Sequence, residues 1–234
     1  MPTAVVTGAS RGLGAATADA LARRGYHLVV DARDAAALET AARSWTGAAS
    51  VDTVAGDVTD PDHRRALIEA AAATGRLDVL VNNASTLGPS PRPALRDAGA
   101  ADLQRVHEVN VVAPLALFQH ARRLLHATGG AVVNLTSDVA VEALEGWGVY
   151  GSSKAALEQL TAVLAVEEPA LDVYTLDPGD LRTAMHQAAF PDEDISDRPE
   201  PETAVPALLA LLDRRPASGR YRAAQLLTTA GGIA

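Results

Sequence analysis

The sequence predicts an α/β fold, a parallel sheet with helices on both faces, and three observations predict it. Short β-branched apolar runs alternate with longer alanine-rich stretches of helical character, the order that builds parallel sheets through right-handed crossovers. The run Leu77 to Val81 is almost continuously apolar, as a strand buried on both faces requires. A glycine-rich turn, Thr7-Gly8-Ala-Ser10-Arg11-Gly12-Leu13-Gly14, stands between the first such run and the first helix. With 234 residues, no linker-like segment and no internal repeat, one domain over residues 1–234 is expected.

Taken in order, Thr3 to Thr7 reads as a buried strand, followed by the turn and a helix to about Arg24 that Gly25 closes. Leu28 to Ala32 is the second strand, and Asp34 caps the helix after it. Val51 to Ala55 is the third; Asp60-Pro61 opens the next helix with proline at its first position, and Gly75 ends it. Leu77 to Val81 is the fourth strand. A helix from Ala101 to Leu125 should kink at Pro114. Ala131 to Thr136 and Leu171 to Leu176 are the fifth and sixth strands, separated by a helix that carries Tyr150 and stops before Pro169.

A net charge of −9 argues against nucleic acid or an anionic membrane surface as the main partner. Zero cysteines suit a reducing cytoplasm and leave no thiolate nucleophile or sulfur metal site. The six histidines show no ligand spacing, so no metal is expected. The first residues lack the basic-then-apolar pattern of a signal peptide, and no run of eighteen apolar residues predicts a membrane span.

The chemistry is concentrated at the predicted carboxyl ends of the strands, where open α/β sheets bind ligands. Tyr150 and Lys154 lie four residues apart at a helix start, hence on one helical face. An ammonium about 4 Å from the phenol is worth roughly 4 kcal/mol at an effective dielectric near 20. That predicts a phenol pKa lowered by roughly three units, to near neutrality, where tyrosine can exchange a proton with a ketone or alcohol oxygen. Ser137, after the fifth strand, can hydrogen-bond the same oxygen. The glycines of the first turn permit close approach of backbone N–H groups to a pyrophosphate at the helix N-terminus.

The turn T-G-x-x-x-G-x-G, Asn82-Asn83-Ala84, Asn110, Ser137, Tyr150-x-x-x-Lys154 and Pro178-Gly179 with Thr183 together resemble the short-chain dehydrogenase/reductase family, over nearly all of the chain to about residue 190. The resemblance implies a doubly wound Rossmann-type sheet of strand order 3-2-1-4-5-6, with a possible seventh. It also implies a nicotinamide cofactor and hydride transfer to or from a carbonyl or alcohol carbon. A tetrad follows from it: Tyr150 as the acid, Lys154 tuning it and binding the ribose, Ser137 polarising the substrate oxygen, and Asn110 helping to hold a water beside Lys154. The implied cofactor contacts are Gly8, Ser10, Arg11, Gly12, Leu13, Gly14, Arg33, Asp57, Val58, Asn83, Ala84, Tyr150, Lys154, Pro178, Gly179, Leu181 and Thr183. A turn-forming Asp57 is the alternative at that position.

Cofactor preference turns on the end of the second strand, Asp31-Ala32-Arg33. The family's NAD-selecting acid falls at Ala32 and its NADP-selecting arginine at Arg33, with Arg11 as a second cation, so NADP(H) is favoured over NAD(H). Asp31 should point to the other face of the sheet, and Asp78 should bond backbone near the sheet edge. The family's usual glycine after N-N-A is Ser85 here, and its S-S-x-x-G is Thr136-Ser137-Asp138-Val139-Ala140.

The substrate is expected among Asp138, Leu144, Trp147 and a lid at about 180–201, with Met185, His186 and Phe190 as lid candidates. The family's usual last strand and D-G-G survive only as Arg220 to Ala223 and Ala230-Gly231-Gly232. A homodimer through the Asn110 and Tyr150 helices is expected, with a tetramer also open. Two functions remain: an NADP(H)-dependent ketone or aldehyde reductase (equally an alcohol dehydrogenase), or a cofactor-binding sensor that no longer turns over.

Overall fold

The computed structural model describes residues 1–228. Its strands are β1 (Thr3–Val6), β2 (His27–Ala32), β3 (Ser50–Ala55), β4 (Val79–Asn82), β5 (Ala131–Leu135), β6 (Asp172–Asp177) and β7 (Gly219–Arg222). They form one sheet in the order β3-β2-β1-β4-β5-β6-β7, parallel at every pairing. The reversal of order between β1 and β4 opens a crevice above their carboxyl ends. The expected order is thus found, with β7 as the seventh strand. Ala223 begins a helix instead of ending the strand, and Ala230-Gly231-Gly232 lie outside the described residues.

Helices α1 (Gly12–Arg23), α2 (Ala35–Ser44) and α8 (Val205–Arg214) belong to one face of the sheet. There Val6, Val30, Val81 and Val133 meet Leu21, Leu38 and Leu208. Helices α3 (Pro61–Ala73), α5 (Ala113–Thr128) and α6 (Gly148–Glu167) belong to the other, where Val5, Val29, Leu80 and Val132 meet Leu67, Leu117 and Leu164. Even and odd positions of the central strands are therefore both buried, which is why these strands read as unbroken apolar runs. Burying each such leucine or valine is worth about 1.5–3 kcal/mol. The edge strand β3 is mostly exposed, consistent with its mixed sequence Ser-Val-Asp-Thr-Val-Ala.

Local chemistry sets the helix ends. Asp34 accepts the Ala37 N–H at 3.0 Å, and Asp60 accepts that of Asp62 at 2.9 Å with Pro61 in the first turn. Gly25, at φ 76°, closes α1 in the left-handed conformation. Asp78 accepts the Thr3 N–H at 2.8 Å and an Arg76 ion pair, as expected of a fold-serving carboxylate.

The long helix is broken just before the predicted kink. It runs as α4 (Ala100–His107), a π turn (Glu108–Val112) and α5, with Pro114 in the first turn of α5. Proline has no N–H for the carbonyl four residues back, that of Asn110, so the irregularity falls on the turn preceding it. The remaining helices are short, α7 (Ala184–Ala189) and α9 (Ala223–Thr228). Among the described residues no helix is long and apolar enough to cross a membrane.

Candidate active site

A cleft of about 920 Å³ lies over the carboxyl ends of the strands. Every residue expected to touch cofactor or substrate lines it except Gly14, and Asn110 lies behind it. Gly14 is a packing residue. A Cβ there would sit 2.3 Å from the Gly8 carbonyl oxygen and 2.4 Å from Asn83 Nδ2. Asn83 Nδ2 donates to the Thr7 and Gly8 carbonyls at 2.8 and 3.1 Å, while Thr7 Oγ1 accepts the N–H groups of Asn83 and Ala84, both at 3.0 Å. The glycine turn is thereby stitched to the end of β4.

Asp31 is consumed by the same turn. Its Oδ1 accepts the Gly8 N–H at 2.6 Å and its Oδ2 lies 3.0 Å from His63 Nε2 of α3, with the residue only 1 % exposed. It therefore points to the α3 face, as strand alternation predicts. No local signal in the sequence marks His63 as its partner. Ala32 and Arg33 come next along the cleft; Arg33 and Arg11 are exposed and make no ion pair among the described residues. Arg11 stands at the N-cap of α1 without a side-chain cap, so the first N–H groups of the helix face the cleft. Asp57 takes the turn-forming role. Its Oδ1 accepts from the Thr59 N–H and hydroxyl at 2.9 and 2.8 Å, and its Oδ2 from Arg105 at 2.7 Å. Partial burial raises its pKa, but the Thr59 hydrogen bonds and the Arg105 guanidinium outweigh burial and hold it at about 2.

At the other end of the cleft, α6 carries Tyr150 and Lys154, 8 % and 3 % exposed. The Lys154 ammonium donates to the Leu135 carbonyl at 2.9 Å and lies 5.5 Å from the centre of the Tyr150 ring. The predicted lowering of the phenol pKa is overturned for this structure. Burial pushes Tyr150 upward, assisted by the charges of Asp138 and Asp177, and a hydrogen bond with Ser85 only partly opposes it. Burial likewise brings Lys154 down to about 8, against the charge of Glu158. Desolvation is the largest effect on both groups because each sits behind protein.

Ser137 Oγ donates to Asp138 Oδ1 at 2.7 Å, and among the described residues no hydrogen bond joins it to Tyr150. The Asn110 side chain is saturated. Its Oδ1 accepts from Ser85 Oγ at 3.1 Å and the Thr86 N–H at 2.9 Å, and its Nδ2 donates to the Thr86 carbonyl and Ser153 Oγ, both at 3.0 Å. A water held by Asn110 would have to use the backbone carbonyl that Pro114 leaves without an α-helical donor.

Two features escape the sequence reading. Arg92 stacks on Trp147 at 3.7 Å and on Phe190 at 4.7 Å, joining the loop after β4 to the segment around α7. Trp147 in turn meets Tyr150 and Phe190 at 5.8 and 6.0 Å, with Met185 packed nearby. Behind the site, Arg220 of β7 pairs with Glu158 at 2.9 Å and Asp177 at 3.1 Å, and Glu158 accepts from Thr136 at 2.6 Å. Arg220 comes from the tail, whose departure from the family pattern hides it.

The chain matches the family model described as short chain dehydrogenase over residues 2–194. It is 32% identical to an uncharacterized oxidoreductase of Methylorubrum extorquens, covering 98% of this chain and 96% of that one. It is 34% identical to the D-erythrulose reductase of Gallus gallus, covering 81% and 75%. Among solved structures, an alcohol dehydrogenase from the archaeon Thermococcus sibiricus complexed with 5-hydroxy-NADP superimposes with a TM-score of 0.85, at 28% identity over 95% of both chains. The glycine turn on its strand–helix junction and the buried tyrosine and lysine across the cleft agree with these likenesses: the chain belongs to the short-chain dehydrogenase family of oxidoreductases.

Proposed function

We propose that the protein is an NADP(H)-dependent oxidoreductase that interconverts a ketone or aldehyde and the corresponding alcohol, with Tyr150 as the proton donor and acceptor. One observation carries the reading: the buried Tyr150 lines the same cleft as the glycine turn and the N-terminus of α1. The cleft suits a dinucleotide, with Gly8 and Gly12 at φ 68° and 60° clearing the backbone for a pyrophosphate. Arg11 and Arg33 would pair with a 2′-phosphate, whereas Asp31 already serves the Gly8 N–H and His63. The bound nicotinamide supplies or accepts the hydride. In reduction Tyr150 gives its proton to the substrate oxygen, and a phenol kept protonated by burial is suited to that step. Lys154, anchored on Leu135, would meet the ribose hydroxyls and support the phenolate that remains.

The NADP complex of the Thermococcus relative and the name of the Gallus relative support this reading. Segment 180–201 would act as the lid, and Leu103, Val112, Val163 and Val166, exposed on α4, the π turn and α6, suit a homodimer face. The test is a screen of NADPH oxidation over ketones, quinones, 3-oxoacyl thioesters and aldehydes, with Tyr150→Phe as control. We expect Tyr150→Phe to lower turnover by about 10²- to 10⁴-fold, and Arg11→Ala with Arg33→Ala to raise KM for NADPH by about 10- to 100-fold relative to NADH. Wild-type turnover in Tyr150→Phe would remove the proton-donor role, and tighter binding of NADH than NADPH would remove the cofactor preference.

A further inference from the structure

The glycine turn rests on one carboxylate, and that carboxylate rests on one imidazole. Asp31, 1 % exposed, holds two successive N–H groups of the turn: Gly8 donates to its Oδ1 at 2.6 Å and Ala9 to its backbone carbonyl at 2.8 Å. Gly8 takes φ 68°, so Asp31 grips the chain where it reverses. The other carboxylate oxygen, Oδ2, has His63 Nε2 at 3.0 Å as its one hydrogen-bond partner among the described residues. An ionised carboxylate only accepts, so Nε2 carries the hydrogen.

His63 is itself clamped. It stands in the first turn of α3, 7 % exposed, with its ring packed against Gly56 after β3. A Cβ on Gly56 would sit 2.3 Å from its Nδ1 and 2.6 Å from its Cγ. The next residue, buried Arg64, donates to the Val58 carbonyl at 2.8 Å. Gly8, Gly56 and Val58 line the cleft together with Arg11 and Arg33, while His63 does not. The start of α3 thus braces two walls of one subsite from behind.

Resting on the NADP(H) reading above, we infer that His63 is a positioning residue for the adenosine 2′-phosphate half of the cofactor: through Asp31 it holds the glycine turn in its binding shape without touching the ligand. A turn that is competent for only part of the time binds with its affinity reduced by that fraction. Without the imidazole, a buried carboxylate loses one of its donors, and the equilibrium that keeps the turn in place shifts by about 10- to 100-fold, the size of one hydrogen bond to a charged group.

The experiment titrates NADPH and 2′,5′-ADP, which carries the adenosine end alone, into the full chain by calorimetry. His63→Leu fills the space beside Gly56 but donates nothing, whereas His63→Gln keeps an N–H donor of similar reach. His63→Leu is expected to raise Kd for both ligands by the same factor, about 10- to 100-fold. His63→Gln should restore most of the loss. With a carbonyl substrate from the screen above, His63→Leu should raise KM for NADPH and leave kcat at saturating NADPH unchanged, because Tyr150 and Lys154 lie across the cleft. A role confined to the stability of α3 would lower the melting temperature of the ligand-free protein and leave both Kd values in place, which overturns the positioning role. Weakened NADPH with unchanged 2′,5′-ADP overturns it too, since the effect then lies elsewhere in the cleft. His63→Ala is measured alongside; if neither it nor His63→Leu folds by circular dichroism, His63 serves the fold as a whole and the positioning role falls. Wild-type protein that binds neither ligand removes the NADP(H) reading itself, whereas binding without turnover of any carbonyl leaves the role of His63 standing.

Discussion

Lys154→Met removes a charge that the fold holds at a cost, and its effect on stability should depend on pH. Burial lowers Lys154 from 10.5 to about 8, which at about 1.4 kcal/mol per pH unit is a penalty of about 3.5 kcal/mol for keeping the proton in the folded state. Because the folded pKa lies below the unfolded one, the unfolded chain binds the extra proton between about pH 8 and 10.5. Wild-type stability therefore rises with pH across that window, and below about pH 8 the penalty stands in full. Tyr150 is raised above its ordinary value of 10.0 and pulls the other way only at higher pH; it is present in both proteins and cancels in their difference. At pH 7 the methionine variant escapes the charge penalty but leaves the buried Leu135 carbonyl without its donor, a loss of about 1–3 kcal/mol. The two proteins should then be of similar stability, or the variant somewhat better. Between pH 7 and pH 10 the wild type should gain on the variant by about 2.5 kcal/mol. Urea unfolding at fixed protein concentration measures this directly, and in melting temperature it amounts to about 5–10 °C. A stability difference that stays constant within about 0.5 kcal/mol over this range would refute the account of a buried, easily deprotonated Lys154.

Two further outcomes follow from packing. Gly14→Ala drives a methyl into the Gly8 carbonyl and Asn83 Nδ2 and should cost about 3 kcal/mol or more, whereas Gly25→Ala, with nothing within 4 Å of its Cβ, should cost only the left-handed strain of about 1 kcal/mol; thermal melts of the two variants separate these cases. Arg92 is held between Trp147 and Phe190, so a double-mutant cycle of Arg92→Ala with Phe190→Leu should show a coupling of about 1 kcal/mol, and a coupling near zero would mean the stack contributes nothing to holding the α7 segment down.

Much of the site is legible before folding because its signals are local. The spacing of Tyr150 and Lys154 places them on one helix face whatever surrounds that helix. Glycines at Gly8 and Gly12 are needed for the left-handed backbone the turn adopts. Strand alternation alone sends the Asp31 side chain to the face of the sheet opposite Ala32, where it meets His63. Other features join residues far apart in sequence: Asp31 to His63, Arg92 to Phe190, Arg220 to Glu158. None has a periodic or motif signature, because the choice of partner is made by which elements pack together.

The pKa of the central tyrosine shows the division most sharply. Coulomb's law applied to two charges on one helix face predicts a lowered phenol. Tertiary structure reverses the sign, since the same packing that brings the pair together removes the water that would have stabilised either charge. The amino-acid order by itself determined the strand–helix alternation, the turn that opens the cleft and the identity of the groups inside it, all consequences of backbone geometry repeated over a few residues. Where the ammonium of Lys154 points, which way the hydroxyl of Ser137 donates and how dry the phenol is were decided only once distant elements closed over them, because desolvation and hydrogen-bond partners belong to the packed whole.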